Sequence, residues 1–93
     1  SWELKIKAGS WTAPGSKDVA DLLFKHGNST YVANSFDDYV GLTTSDVVIG
    51  EHASTPVVTE DFVGRYKIIL DASTDVAGSY SISVTFTITA PHS

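Results

Sequence analysis

The chain has 93 residues, six of them basic and eleven acidic, and a formal net charge of −5. This length fits one domain, residues 1–93, and the scattered basic residues lack the clustering that a nucleic-acid-binding surface needs. The chain has no cysteine, which excludes disulfide bonds, and no apolar run approaches the roughly 18–20 residues of a membrane-spanning helix.

The first third of the chain predicts a strand followed by a short helix. Residues 2–8 alternate between apolar and charged side chains, a pattern typical of a strand with one buried face. Residues 17–26 carry a helical signal, with Ser16 as the N-cap, Gly27 as the terminating glycine and apolar residues on one helical face. We expect this helix to lie across an open end of a sheet.

The rest of the chain predicts strands. Residues 30–36 and 46–50 are rich in the β-branched and aromatic residues that favour strands, and residues 57–59 follow a proline that restricts them to an edge or a strand start. Residues 65–71 alternate, with Tyr66, Ile68 and Leu70 expected to face a core, and residues 80–89 alternate strictly between apolar and polar side chains. The whole pattern predicts an all-β fold, an immunoglobulin-like β-sandwich of six to seven strands with one short helix.

The two ends of the chain resemble a known family. Residues 77–91 read Ala-Gly-Ser-Tyr-Ser-Ile-Ser-Val-Thr-Phe-Thr-Ile-Thr-Ala-Pro, and Trp2-Glu3-Leu4 forms a Trp-x-Leu signature. These segments are similar to WxL-type bacterial surface domains, which end in a Gly-Thr-Tyr strand followed by Thr-Trp-Thr-Leu-Thr. Phe86 stands at the tryptophan position and Ile88 at the leucine position. The resemblance implies non-covalent attachment to a Gram-positive cell wall, or partnership with other surface proteins.

Both terminal strands are long and lack internal proline and glycine, and such strands pair with a neighbouring chain when their edges are uncovered. We therefore predict a non-enzymatic structural or adhesive domain that assembles with neighbouring subunits by strand exchange, as in a filament or pilus, or that binds a cell-wall partner. The predicted assembly contacts come from the first and last strands: Trp2, Leu4, Ile6, Thr85, Thr87 and Thr89.

Weak signals favour an extracellular or cell-surface location. The chain starts at Ser1 and contains no methionine, so we expect that an initiator was removed, with a leader peptide or by other means. Asn28-Ser29-Thr30 forms an N-glycosylation sequon, which predicts glycan at Asn28 if the chain passes through a glycosylating compartment.

Two other functions stay open at this point. Exposed aromatic side chains would stack against sugar rings in a small carbohydrate-binding module. The candidates are Trp11, which lies outside the predicted strands, and the tyrosines Tyr31 and Tyr39. A small hydrolase would need a histidine and an acid in contact within a cleft. The three histidines share no metal-ligand spacing and the chain has no nucleophile-elbow motif, so we predict no catalytic residue, no metal and no cofactor.

Overall fold

Six strands form two antiparallel sheets in the residues that the computed structural model describes, namely 2–27, 33, 36, 38–52 and 62–90. The strands are β1 (Trp2–Ala8), β2 (Leu22–His26), β3 (Val40–Gly41), β4 (Val47–His52), β5 (Gly64–Ile68) and β6 (Val84–Thr89). One sheet has the order β4-β1-β6 and the other has the order β3-β2-β5. The prediction of a nearly all-β chain is therefore confirmed.

The central strand of each sheet supplies most of the core. In β1 every second side chain from Leu4 onward is buried, and in β2 the same alternation buries Leu22, Phe24 and His26. Side chains from both sheets meet in one apolar cluster. Its buried members are Leu4, Ile6, Ala8, Leu22, Phe24, Phe36, Leu42 and Ile49.

The predicted helix over residues 17–26 is wrong. The structure has one 3-10 turn at Val19–Asp21, which Asp18 caps by accepting a hydrogen bond from the Ala20 N–H, and β2 follows at once. Apolar residues in this segment satisfy a helical spacing and also an alternation of period two. Because β3 and β5 pair with β2 on its two edges, the alternation of period two determines the outcome.

The remaining strand predictions have different outcomes. The predicted strands over 46–50, 65–71 and 80–89 correspond to β4, β5 and β6. The last strand begins later than predicted, because Ser81 makes only an isolated bridge with Thr12. The predicted strand over 57–59 and most of that over 30–36 lie outside the described residues. Within the described part of the chain, no helix has the length and apolar composition to cross a membrane.

Candidate functional site: two open strand edges

Strands β5 and β6 each have a partner on one side only among the described residues. β5 pairs with β2, and β6 pairs with β1. In each sheet the central strand has two partners, so β5 and β6 each lie at one edge, and β3 and β4 lie at the opposite edges. β3 has only two residues, and the Ala33 N–H donates to the Ile49 carbonyl of β4 at 2.9 Å, so we call the edges of β5 and β6 the two open edges. An edge strand presents unpaired backbone N–H and C=O groups to which another strand can hydrogen-bond.

The apolar side chains of β6 point toward the core but stay exposed. The register aligns Phe86 with Ile6 and Ile88 with Leu4, and directly opposed residues in an antiparallel pair project from the same face of the sheet. Ile6 and Leu4 are buried, whereas Phe86 is 50% exposed and Ile88 is 71% exposed. The sequence therefore predicted the direction of these side chains correctly, but the described residues do not cover them.

The apolar side chains of β5 are exposed in the same way. Tyr66 is aligned with Phe24 and Ile68 with Leu22, both of which are buried. The centres of the Tyr66 and Phe24 rings are 5.6 Å apart. Partial burial raises the pKa of the Tyr66 hydroxyl. Ile68 is 52% exposed, and Leu70 just beyond the strand is 80% exposed. We call Tyr66, Ile68, Phe86 and Ile88 the exposed strip.

The hydrogen-bond pattern shows which backbone groups of β6 are free to pair. The Gly9 N–H donates to the Ser83 carbonyl at 2.8 Å, so this residue pair is hydrogen-bonded. Because hydrogen-bonded and non-hydrogen-bonded pairs alternate along an antiparallel ladder, the odd-numbered residues of β6 bond to β1. The N–H and C=O groups of Val84, Phe86 and Ile88 consequently point away from β1, toward the open edge.

The same pattern applies to β5. The Gly27 N–H donates to the Val63 carbonyl at 2.7 Å, and the Ile69 N–H donates to the Asp21 carbonyl at 2.9 Å. Odd-numbered residues of β5 therefore bond to β2, and the free backbone groups belong to the even-numbered residues. In both edge strands, the residues with free backbone groups are those whose side chains face the core side of the sheet.

The side chains predicted as assembly contacts on the first strand are buried or half-buried within the domain itself. β1 is paired along both edges, Leu4 and Ile6 are buried in the core, and Trp2 packs partly buried against it. Contacts with a neighbouring chain through these side chains would require β1 to leave both β4 and β6. The strands that are available for pairing with another chain are therefore the edge strands β5 and β6 rather than β1.

The predicted contacts on the last strand have a different position. Thr85, Thr87 and Thr89 are exposed on the outer face of the edge strand β6, opposite Lys7, Lys5 and Glu3.

The predicted sugar-stacking residues lie in separate surroundings. The Trp11 indole N–H donates to the Asp18 carbonyl at 2.8 Å, and the Lys17 ammonium lies 5.7 Å from the centre of the indole ring. The Tyr39 ring has the ammonium groups of Lys25 and Lys67 at 5.6 and 5.5 Å. Tyr31 lies outside the described residues. Neither described ring is a bare stacking platform, because a lysine approaches each of them.

Lys17 joins three segments of the chain. Its ammonium donates to Asp75 at 2.9 Å, to Asp21 at 3.1 Å and to the Ile69 carbonyl at 2.9 Å. The hydrogen bond to Asp75, followed by the contributions of Asp21, raises the pKa of Lys17. The pKa of Asp75 is lowered first by the backbone N–H of Asp71 and then by Lys17. The sequence offered little sign of this cluster, because Asp75 is 58 positions from Lys17.

A small cavity adjoins the Lys17 cluster. Its volume is about 130 Å³, and it is lined by Trp11, Lys17, Ile68, Leu70, Asp75 and Tyr80. The rings of Tyr80 and Trp11 are nearly perpendicular, with their centres 6.4 Å apart. The cavity therefore lies at the end of β5, next to the exposed strip.

The histidines lie in different parts of the chain. His26 is buried among the rings of Phe24, Phe36 and Phe62, and its Nε2 lies 3.0 Å from the Ile49 carbonyl. These neighbours include no acid of the kind that a hydrolytic site would need. His92 and the predicted glycan acceptor Asn28 lie outside the described residues. Over the described ranges, no group of three or more His, Cys, Asp or Glu residues is arranged to hold a metal ion.

Comparison of the chain with protein-family models, with curated proteins and with solved structures gave no match. The resemblance of the chain ends to WxL-type domains therefore stays a prediction.

Proposed function

We propose that this chain is a non-enzymatic structural domain of a cell or particle surface, which assembles with neighbouring subunits by strand addition. Its architecture is an immunoglobulin-like sandwich whose β5 and β6 edges await a partner. The observation that supports the proposal is the exposed strip: large apolar side chains face the core side of both edge strands, and the same residues carry the free backbone groups.

The energetic balance favours a strand over a featureless apolar partner. Full burial of one large apolar side chain contributes about 1.5–3 kcal/mol, so covering four half-exposed side chains contributes roughly 3–6 kcal/mol. Association costs about 4–15 kcal/mol in lost freedom of motion and ordering. Apolar cover alone therefore reaches only the lower end of the cost. Backbone hydrogen bonds, at about 0.5–1.5 kcal/mol each, are needed as well, and an added strand supplies both.

The mass of the chain in solution tests the proposal. Deleting residues 1–8 would remove the central strand of a sheet, so that deletion is expected to unfold the chain and is a poor test. The double variant Ile68→Lys/Ile88→Lys instead places a charge on each open edge, at side chains that are already more than half exposed. We expect light scattering to show assemblies of the wild-type chain and monomers of the double variant.

The matched control adds the same charge away from the edges. Ser10 and Thr44 are exposed and lie outside the strands, so Ser10→Lys/Thr44→Lys is expected to assemble as the wild type does. Circular dichroism establishes that both double variants keep their strand content. A wild-type chain that stays monomeric at every concentration, or a control that dissociates as fully as the edge variant, would overturn the proposal.

The alternative function is that of a small carbohydrate-binding module. The observation in its favour is the cavity beside Trp11, which combines two aromatic rings with a lysine and an aspartate. The bound indole N–H and the overlying Lys17 ammonium make Trp11 less available for stacking than a bare ring. We therefore rank assembly first.

A further inference from the structure

The two open edges differ in charge. β6 reads Val-Thr-Phe-Thr-Ile-Thr and carries no charged side chain. β5 reads Gly-Arg-Tyr-Lys-Ile, and its Arg65 is directly opposite Lys25 of β2. Arg65, Lys67 and Lys25 therefore share the outer face of the second sheet. Lysine on an edge strand is a device by which proteins prevent unwanted edge-to-edge pairing.

The basic residues of β5 are not neutralised by ion pairs within the described part of the chain. The ion pairs there involve two other lysines, Lys5 with Glu3 and Lys17 with Asp21 and Asp75. If two copies of β5 paired edge to edge, Arg65 and Lys67 of one copy would lie beside the same residues of the other. Like charges on facing strands are destabilising, so the β5 edge is built against pairing with itself.

The β6 edge has the opposite character. From this difference we infer that the partner of β6 is the β6 strand of a second copy of this chain, paired antiparallel about a twofold axis. The inference rests on the proposed function and specifies which edge and which partner it uses. No charge opposes this pairing, since threonine would meet threonine on the outer face and apolar residues would meet on the inner face.

The hydrogen-bond pattern of β6 is compatible with this pairing. Its free backbone groups belong to Val84, Phe86 and Ile88, so the hydrogen-bonded pairs across a twofold axis would join even-numbered residues to even-numbered residues. The side chains of those residues all lie on the inner face of the sheet. The exposed apolar side chains of one copy would therefore lie next to those of the other, in one continuous sheet of order β4-β1-β6-β6-β1-β4.

This pairing makes a closed unit. An isologous contact uses the same surface on both copies, so it ends at two subunits. The basic β5 edges of the dimer remain open on its outside. Growth beyond the dimer then requires a contact of a different kind, with a strand whose outer face carries acidic residues to match Arg65 and Lys67.

Two single variants distinguish the edges. Ile88→Lys and Ile68→Lys make the same substitution on β6 and on β5, at side chains 71% and 52% exposed in the isolated chain. We expect Ile88→Lys to weaken dimerisation by about tenfold or more, because it places an unpaired ammonium in the new interface. Ile68→Lys is expected to leave the dimer unchanged. Sedimentation over a concentration series measures both dissociation constants.

Cysteine cross-linking tests the geometry without requiring the interface to be broken. The chain has no cysteine of its own, so every disulfide comes from the introduced thiols. Thr85→Cys and Thr87→Cys are prepared separately and then mixed in equal amounts. Even-numbered residues of the two β6 strands can pair in three neighbouring registers. These registers place residue 85 of one copy opposite residue 85 of the other, residue 85 opposite residue 87, or residue 87 opposite residue 87. We expect covalent dimers on oxidation of the mixture, and monomers from Lys67→Cys.

The outcomes separate this inference from the proposed function. Assemblies that persist in Ile88→Lys, dissociate in Ile68→Lys and cross-link through Lys67→Cys would overturn the inference and leave strand addition standing, at the other edge. A wild-type chain that is monomeric throughout, with no cross-link from any cysteine variant, would overturn both.

Discussion

Gly64 lies where a side chain would collide with the core. A Cβ atom at this position would lie 2.2 Å from Cε1 and 2.6 Å from Cζ of Phe24. Phe24 is only 1% exposed, and its ring is in contact with those of His26, Phe36 and Tyr66. The ring therefore cannot give way without moving its neighbours. Gly64→Ala is expected to displace either the Phe24 ring or the start of β5.

The expected cost follows from the packing. Inserting a methyl group into a filled core costs about 1–3 kcal/mol. A change of 1 kcal/mol shifts the melting temperature of a domain of this size by about 4–8 °C. We therefore expect Gly64→Ala to lower the melting temperature by roughly 10 °C. Gly9→Ala is the control, because a Cβ there would have its nearest neighbour at 3.7 Å, an ordinary contact.

Calorimetry of five chains makes the test specific: the wild type, Gly64→Ala, Phe24→Leu, the double variant and the Gly9→Ala control. If the collision with Phe24 is the cause, Phe24→Leu, which shortens the side chain, should cost less in the Gly64→Ala background than in the wild type. Contacting residues show such coupling, whereas independent ones have additive effects. Equal melting temperatures for Gly64→Ala and Gly9→Ala, or strictly additive losses in the double variant, would refute the reasoning.

Three further predictions concern the Lys17 cluster, the β6 ladder and Trp11. The Asp71 backbone N–H and the Lys17 ammonium hold the pKa of Asp75 below its ordinary value of 3.8. The ionised carboxylate therefore stabilises the fold above pH 3.8, and this stabilisation is lost as the pH falls through the lowered pKa. Asp75→Asn should consequently make the melting temperature fall less steeply in this acid range. Thr87→Pro should cost about 2 kcal/mol more than Ile88→Pro in urea unfolding at a protein concentration low enough to keep the chain monomeric, because within one chain only the Thr87 N–H bonds to β1. Equal losses in the monomer would contradict the assigned ladder. Trp11→Ala should lower the melting temperature and leave the mass of the assembly unchanged. If the wild type binds a glycan on an array and Trp11→Ala does not, the carbohydrate-binding alternative is favoured.

Strict alternation made β1, β5 and β6 predictable from the sequence. A pattern of period two determines which side chains share a face, and this depends on the strand alone. The alignment of Phe86 with the buried Ile6 confirms the predicted direction. Whether that face is covered depends on other strands, which a local pattern does not specify. The exposure of the strip was therefore missed.

The alternation pattern also does not indicate whether a strand lies at the centre or at the edge of its sheet. The first strand, over residues 2–8, is one of the two predicted assembly strands, yet β1 is central in its sheet. Its partners β4 and β6 come from distant parts of the chain. The strand at the other end of the chain, β6, is the one that occupies an edge. The sequence pattern identified both terminal strands, and only the strand pairing shows which of them lies at a sheet edge.

The connection between β5 and β6 does not cover the exposed strip, and its contacts explain why. Lys17 holds this connection at Asp75 and at the Ile69 carbonyl, and Ser81 exchanges two backbone hydrogen bonds with Thr12. Both attachments join the connection to the segment between β1 and β2. A connection fastened there does not fold back across β5 and β6 to bury their inner faces. Among the described residues, specific contacts within the chain therefore leave the strip uncovered, and a second subunit is the source of cover that the proposed assembly supplies.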